Sequence, residues 1–184
     1  MRPAPNVARD LLGCLLVARH GRILTAGRIV ETEAYLGPED GASHAAFRPG
    51  SHALFYGPGG FAYVYQAYGL HHCLNAIADH AGRPGCVLIR ALEPIEGVAV
   101  MAQRRRLPVN SPRLATGPGN LTRALGVTRR ENGADLTAGS LVIEPGTVRA
   151  HIVSGRRIGI TRAVHLPLRF WVASSPYVTG ARRC

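Results

Sequence analysis

Glycine and proline interrupt this chain so often that many turns and mostly short elements are expected. The 184 residues hold 22 glycines and 13 prolines, the two residues that set turns by permitting left-handed backbone or by locking φ. Such spacing predicts a β-containing fold with many turns. At 46% hydrophobic the chain can still bury a core, which excludes a disordered chain. Its length suits one domain, taken as residues 1–184.

Residues 7–13 read as a short helix with Asn6 as its N-cap. Residues 14–19 (CLLVAR) and 23–35 (ILTAGRIVETEAY) read as two strands joined at Gly21. Residues 61–68 (FAYVYQAY) and 71–77 (HHCLNAI) are rich in β-formers and broken by Gly69. They predict a hairpin with Tyr68 at or near its tip, entered through the turn Gly57-Pro58-Gly59-Gly60. Residues 85–92 (GCVLIRAL) form an apolar strand. Residues 95–105 read as a helix with Ile95, Val98, Met101 and Ala102 on one stripe. Gly117-Pro118-Gly119-Asn120 opens a second short helix at 120–125, and strands are expected near 140–144, 157–161 and 168–173. The whole is a mixed α/β (α+β) single domain: a largely antiparallel curved sheet, surrounding helices and a protruding β-hairpin.

Charge is the first functional clue. The formal net charge is +11, which favours a polyanionic partner, most often nucleic acid. All 22 basic residues are arginine, a pattern that GC-rich coding also produces. Without lysine, no side-chain amine can form a Schiff base, and only the N-terminal amine remains for such chemistry. Cys14, Cys73, Cys86 and Cys184 contain no C-x-x-C pair, so a zinc ribbon or a thioredoxin-like motif is not expected. His71, His72 and Cys73 are adjacent, and neighbours on a strand face opposite ways. No metal and no cofactor are predicted. No run reaches transmembrane length and the first residues lack a signal peptide's apolar stretch, so a cytoplasmic protein with reduced thiols is expected.

Two clusters carry candidate chemistry. In Glu31-Thr32-Glu33-Ala34-Tyr35, alternation puts Glu31, Glu33 and Tyr35 on one strand face, with His44 just downstream. Two carboxylates on one face repel each other, and an otherwise apolar strand gains nothing from them unless they are solvated or functional. In the hairpin, Tyr63 and Tyr65 share a face, and three of the six tyrosines lie between positions 63 and 68. Such a set makes either a cross-strand ladder or a platform for stacking a nucleobase. Glu39 and Asp40 read as turn or cap residues, and Glu93 and Glu96 as acidic residues at a helix start.

Three motifs, GRIVETEAYLGPEDGASHA (27–45), YVYQAYGLHHCLN (63–75) and CVLIRALEPIEG (86–97), resemble the alkyladenine (3-methyladenine) DNA glycosylase family. TGPGNLTRALG (116–126) and LRFWVASSPYV (168–178) fit its C-terminal half, so the resemblance covers nearly the whole chain. It implies a monomeric base-excision enzyme of the bacterial nucleoid, acting on double-stranded DNA that carries a damaged purine. Expected lesions are 3-methyladenine and 7-methylguanine, with hypoxanthine and ethenoadenine as further candidates. Glu33 would be the general base for the attacking water, and Arg90 would help to hold that water or a nearby phosphate. Tyr35 and His44 would line one side of the flipped base and Tyr65 the other, with Asn75 crowding the exocyclic amine of normal guanine. Tyr68 would enter the minor groove and fill the gap in the stack. The chain departs from the family at Leu70, where Met is frequent, and in a shorter, less basic loop after His44.

The chemistry is consistent with that implication. Alkylation makes a purine cationic and a good leaving group, so one carboxylate with a water can suffice. An anion also stabilises the oxocarbenium-like transition state. Two other readings account for less. A non-catalytic basic nucleic-acid binder explains the charge and the tyrosines, but not Glu31 and Glu33. A nucleoside hydrolase calls for an aspartate cluster holding Ca²⁺, and the four aspartates here are scattered.

Overall fold

The computed structural model describes residues 2–48, 52–79, 82–146 and 151–180. Its centre is a long strand, β2 (Ile23–Tyr35), paired along one edge with β5 (Gly85–Glu96). Along its other edge β2 pairs first with β1 (Leu15–His20) and then, at Glu31–Glu33, with β8 (Arg169–Val172). The sheet continues outward through β4 (His71–Ala78) to β3 (Ala62–Ala67) on one side, and to β6 (Leu141–Glu144) on the other. β7 (Ile152–Gly155) joins at β8, and every pairing is antiparallel.

The sheet curls because its central pair is out of step. Ile29 faces Leu92 and Glu31 faces Ala91, so Val30 is bulged out of register; Thr32 then faces Ile89, so Arg90 is skipped on β5. Bulges bend a strand, increase its twist and re-aim side chains. Here they lie at the residues on which the sequence places the chemistry.

Both faces of β2 are covered, so residues 29–34 are all buried. On one face Thr32 donates its hydroxyl to Ala8 O at 2.8 Å, which ties the sheet to α1 (Ala4–Asp10). The helix Pro118–Leu125 contributes Leu121, Ala124 and Leu125, all fully buried, to the main core with Leu16, Ile29, Leu74, Ile89 and Phe170. Each such leucine stabilises the fold by about 1.5–3 kcal/mol. A smaller cluster of Ala45, Phe55, Tyr63, Ile77 and Cys86 packs under the hairpin.

Several expected boundaries move. The first helix is Ala4–Asp10 rather than 7–13, with Pro3 as N-cap and a proline in its first turn, so Asn6 lies inside it. Proline suits that first turn because its missing N–H has no partner there anyway. The helix expected at 95–105 begins at Val98, because β5 runs on to Glu96 and Gly97 turns the chain at φ 68°. A side chain at Gly97 would meet Leu24 O at 2.3 Å. Ile95 is therefore a strand residue, 43% exposed, and Glu93 pairs with Arg28 at 3.4 Å across the sheet instead of opening a helix. The second helix starts two residues early, at Pro118. No strand forms at 157–161; the strand lies at Ile152–Gly155, and the following segment is irregular and anchored by side chains. Two short helices, α2 (His44–Phe47) and α3 (His52–Phe55), occupy what read as a loop.

Candidate active site

Glu31 and Glu33 point to the same side of β2, and both are 0% exposed. Their neighbours differentiate them. Glu31 Oε1 accepts from Arg90 Nε at 3.1 Å and Arg169 Nε at 2.7 Å, and its Oε2 accepts from Thr179 N at 2.8 Å. Two guanidiniums on one carboxylate neutralise it in place. Glu33 receives lighter support. Ile158 N donates to Oε1 at 2.8 Å, Tyr35 Oη donates to Oε2 at 2.9 Å, and Arg90 Nη1 lies 3.3 Å from Oε2. Burial raises the Glu33 pKa above the ordinary glutamate value, against the pull of Arg90, Ile158 N–H and the Tyr35 hydroxyl, and Glu31 adds to the rise. Among the described residues, two hydrogen bonds and one ion pair reach this carboxylate, against three charge-assisted hydrogen bonds on Glu31.

A cavity of about 730 Å³ opens beside this pair, within the usual range for small-molecule sites. The three groups that hold Glu33, namely Tyr35, Arg90 and Ile158, line it, and Glu33 sits directly behind them. The aromatic wall comes from β3 and α2. Tyr63 faces Asn75 and Tyr65 faces Cys73 across the hairpin. Ser43 caps α2 and brings His44 in, where Nδ1 lies 2.8 Å from Tyr63 Oη and the ring leans on Tyr65 at a centroid distance of 4.4 Å. Burial, reinforced by nearby Arg48, pulls the His44 pKa down to about 4. His44 is therefore a neutral imidazole at pH 7. Asn75 is buried, with Nδ2 donating to Tyr63 O at 3.1 Å and Oδ1 accepting from Cys86 Sγ at 3.8 Å.

At the rim, Tyr68 and Gly69 have φ of 52° and 68°, the positive pair that a primed hairpin turn needs. Gln66 Nε2 braces the turn by donating to Gly69 O at 2.6 Å. Left-handed backbone costs a bulky residue of the order of 1 kcal/mol or more, yet a tyrosine holds the position, 88% exposed, with Leu70 beside it at 79%.

Of the residues singled out in the sequence, Tyr35, His44, Tyr65, Asn75 and Arg90 line one cavity, Tyr68 stands at its mouth and Glu33 lies behind its wall. Arg90 is itself buried between the two carboxylates. The sequence reading missed Tyr63 as a partner of His44, and missed Arg169, Ile158 N–H and the buried pair Asp40–Arg157 altogether. Asp40 does form the expected turn, accepting from Leu36 N and Ala42 N. Only the shared face of Tyr63 and Tyr65 had left a trace in the sequence. His71 is exposed, His72 half-buried and Cys73 buried, and among the described residues no cluster of His, Cys, Asp or Glu could hold a metal ion. No helix among the described residues is long and apolar enough to cross a membrane.

Known proteins match this chain over nearly all of its length. The family model described as methylpurine-DNA glycosylase (MPG) matches residues 1–176. A protein of Koribacter versatilis named "Putative 3-methyladenine DNA glycosylase" is 48% identical over 182 residues, covering 96% of this chain and 88% of its own length. One of the same name from Methanoculleus marisnigri is 45% identical, covering 97% of this chain and 94% of its own. Another, from Rubrobacter xylanophilus, is 46% identical, covering 95% and 91%. With a family model spanning the carboxylate pair, the hairpin and the C-terminal strand alike, the chain belongs to the methylpurine-DNA glycosylase family.

Proposed function

We propose that this chain, a monofunctional DNA glycosylase of DNA repair, flips a damaged purine from duplex DNA into the aromatic cavity and hydrolyses its N-glycosidic bond. Glu33 acts as the general base. The observation that carries this reading is its carboxylate: fully buried, raised in pKa, and directly behind a cavity wall made of the three groups that hold it. A raised pKa makes the anion a stronger base at neutral pH. The water's oxygen bonds C1′, its proton goes to Glu33, and the C1′–N9 bond breaks with its electron pair leaving on the purine. A purine alkylated at N3 or N7 carries a positive charge that this pair neutralises, so no general acid is needed. An abasic site remains.

Selectivity follows from the same walls. Electron-rich faces of Tyr35 and Tyr65 favour a cationic purine, and a neutral His44 does not repel it. A base sandwiched between two rings needs about 7 Å between them, twice a van der Waals contact; His44 and Tyr65, tilted against each other at 4.4 Å, do not stand as opposite walls of such a sandwich. Asn75, fixed by Tyr63 O and the Cys86 thiol, presents a rigid edge against the exocyclic amine of guanine. Tyr68 enters the minor groove and fills the hole that flipping leaves.

Duplexes carrying one defined lesion each, incubated with the protein and then cleaved with alkali, test the reading. Strand breaks at 3-methyladenine or 7-methylguanine that appear only after alkali are expected. Borohydride trapping should yield no adduct, because the chain has no lysine. Nicking without alkali, or a trapped protein–DNA adduct, would contradict simple hydrolysis. Failure to release any damaged purine would overturn the proposal.

A further inference from the structure

Two of the three groups that hold Glu33 depend on a single guanidinium that lies outside the site itself. Arg157 and Asp40 form a bidentate pair whose side chains are both 0% exposed, Nη1 to Oδ2 at 2.6 Å and Nη2 to Oδ1 at 2.9 Å. Arg157 Nη1 also donates to Ala34 O at 3.1 Å, and Nη2 to Ala163 O at 3.4 Å. Its Cζ sits 4.6 Å from the centroid of the Tyr35 ring. The next residue along the chain is Ile158, whose N–H meets Glu33 Oε1. One side chain thus ties the 157–163 segment to the end of β2, with Ala34 and Tyr35 flanking the contact. Buried ion pairs add little net stability, because desolvation offsets their attraction. Their fork geometry does fix position and orientation.

Resting on the reading of Glu33 as the base, we propose that Arg157 and Asp40 are positioning residues for base release. Their pair sets Ile158 N–H against one oxygen of Glu33 and, by packing on the ring of Tyr35, sets that residue's hydroxyl against the other. Neither residue touches the substrate. The groups facing Glu33 are Glu31 and Tyr35 on β2, Arg90 on β5, Cys73 on β4 and Ile158 N–H. Arg157 acts on it only through Tyr35 and Ile158. Both of those hydrogen bonds favour the ionised carboxylate. Losing them raises the Glu33 pKa further, so the base is protonated, and the rate falls, at a higher pH.

The test is single-turnover release of a methylated purine as a function of pH, with lesion-DNA affinity and Tm measured beside it. The proteins are wild type, Arg157→Lys, Asp40→Asn, Ile158→Pro, the core control Met101→Ala and Glu33→Gln. Arg157→Lys and Asp40→Asn should release base roughly tenfold to a hundredfold more slowly at pH 7. Their acid limb should move up by about one pH unit, with affinity within twofold of wild type. Met101→Ala should lower Tm and leave the limb in place. If the folded pair variants lose Tm but keep the wild-type rate and limb, the pair is only structural and the proposal falls. If neither folds, Ile158→Pro decides: the same upward shift supports the proposal and an unmoved limb overturns it. A fully active Glu33→Gln would remove the underlying reading, and this proposal with it. A dead Glu33→Gln beside unmoved pair variants removes this proposal alone.

Discussion

Tyr68 stands at the mouth of the cavity and Glu33 directly behind its wall, and the two are built in opposite ways. Glu33 is fully buried, with Tyr35 from its own strand and Arg90 at one oxygen and the distant Ile158 N–H at the other. Tyr68 is 88% exposed on a three-residue turn between Ala67 and His71, held by local bonds within the hairpin. In the proposed mechanism the carboxylate must have its position and pKa fixed before the substrate arrives, because reorganisation at the moment of reaction costs rate. In the same proposal the ring leaves the protein's own surface to enter DNA, a use that packing it would defeat. Rigidity and exposure at this site follow from what each group has to do, and the two ends should respond to mutation in different ways.

The largest expected effect is at the buried end. Glu33→Gln keeps the shape and the bond from Ile158 N–H but cannot take a proton. Single-turnover base release should fall about a thousandfold, with lesion-DNA affinity retained in a filter or gel-shift assay. A rate within tenfold of wild type would break the comparison at its root. Glu31→Gln sharpens it from two residues away. That carboxylate neutralises Arg90 and Arg169, and removing one partner of a buried charge cluster costs roughly 3–5 kcal/mol. Its Tm should drop by about 10 °C, while the folded fraction still releases base. A fully stable but inactive Glu31→Gln would exchange the roles of the two glutamates.

At the exposed end the effect is smaller and depends on substrate. Tyr68→Ser should slow release from duplex DNA roughly tenfold to a hundredfold, the equivalent of the few kcal/mol that flipping costs. It should change much less on an unpaired or single-stranded lesion, and Tm should hold within a degree or two. Equal loss on both substrates together with a lower Tm would make the ring structural.

The smallest effect is on pH. Buried His44 stays neutral down to about 4, whereas an unperturbed histidine protonates near 6.5. Between those values the unfolded chain binds a proton that the folded chain refuses, so His44 subtracts stability as pH falls through that window. Wild-type Tm should decline there more steeply than that of His44→Gln. The acid limb of activity, set by the raised pKa of Glu33, should lie above the ordinary glutamate range and be the same on every lesion. Parallel Tm curves for wild type and His44→Gln would show that the ring is not buried as described.

Period-two alternation put Glu31, Glu33 and Tyr35 on one face, and the Gly69 break put Tyr68 at a hairpin tip; the structure agrees with both. These signals are local, carried by a few neighbouring residues, and short elements separated by glycine and proline preserve them. The helix expected over 95–105 instead starts at Val98 because such local signals overrun a boundary. Apolar spacing continues across Gly97, and only its collision with Leu24 O shows that the chain must turn there. What alternation could not supply was the difference between the two glutamates. That difference rests on Arg169, 138 residues from Glu31, on Ile158, 125 residues from Glu33, and on the pairing of Arg157 with Asp40 across 117 residues. It rests also on bulges at Val30 and Arg90 that curl β2 and β5. The sequence by itself therefore determined which side chains share a face and which stand at a turn. Tertiary contacts set which carboxylate is held by two guanidiniums and which is held more lightly with a raised pKa, because the energy of a buried charge depends on the donors that reach it, and β8 and the 157–163 segment bring those donors to β2 from distant parts of the chain.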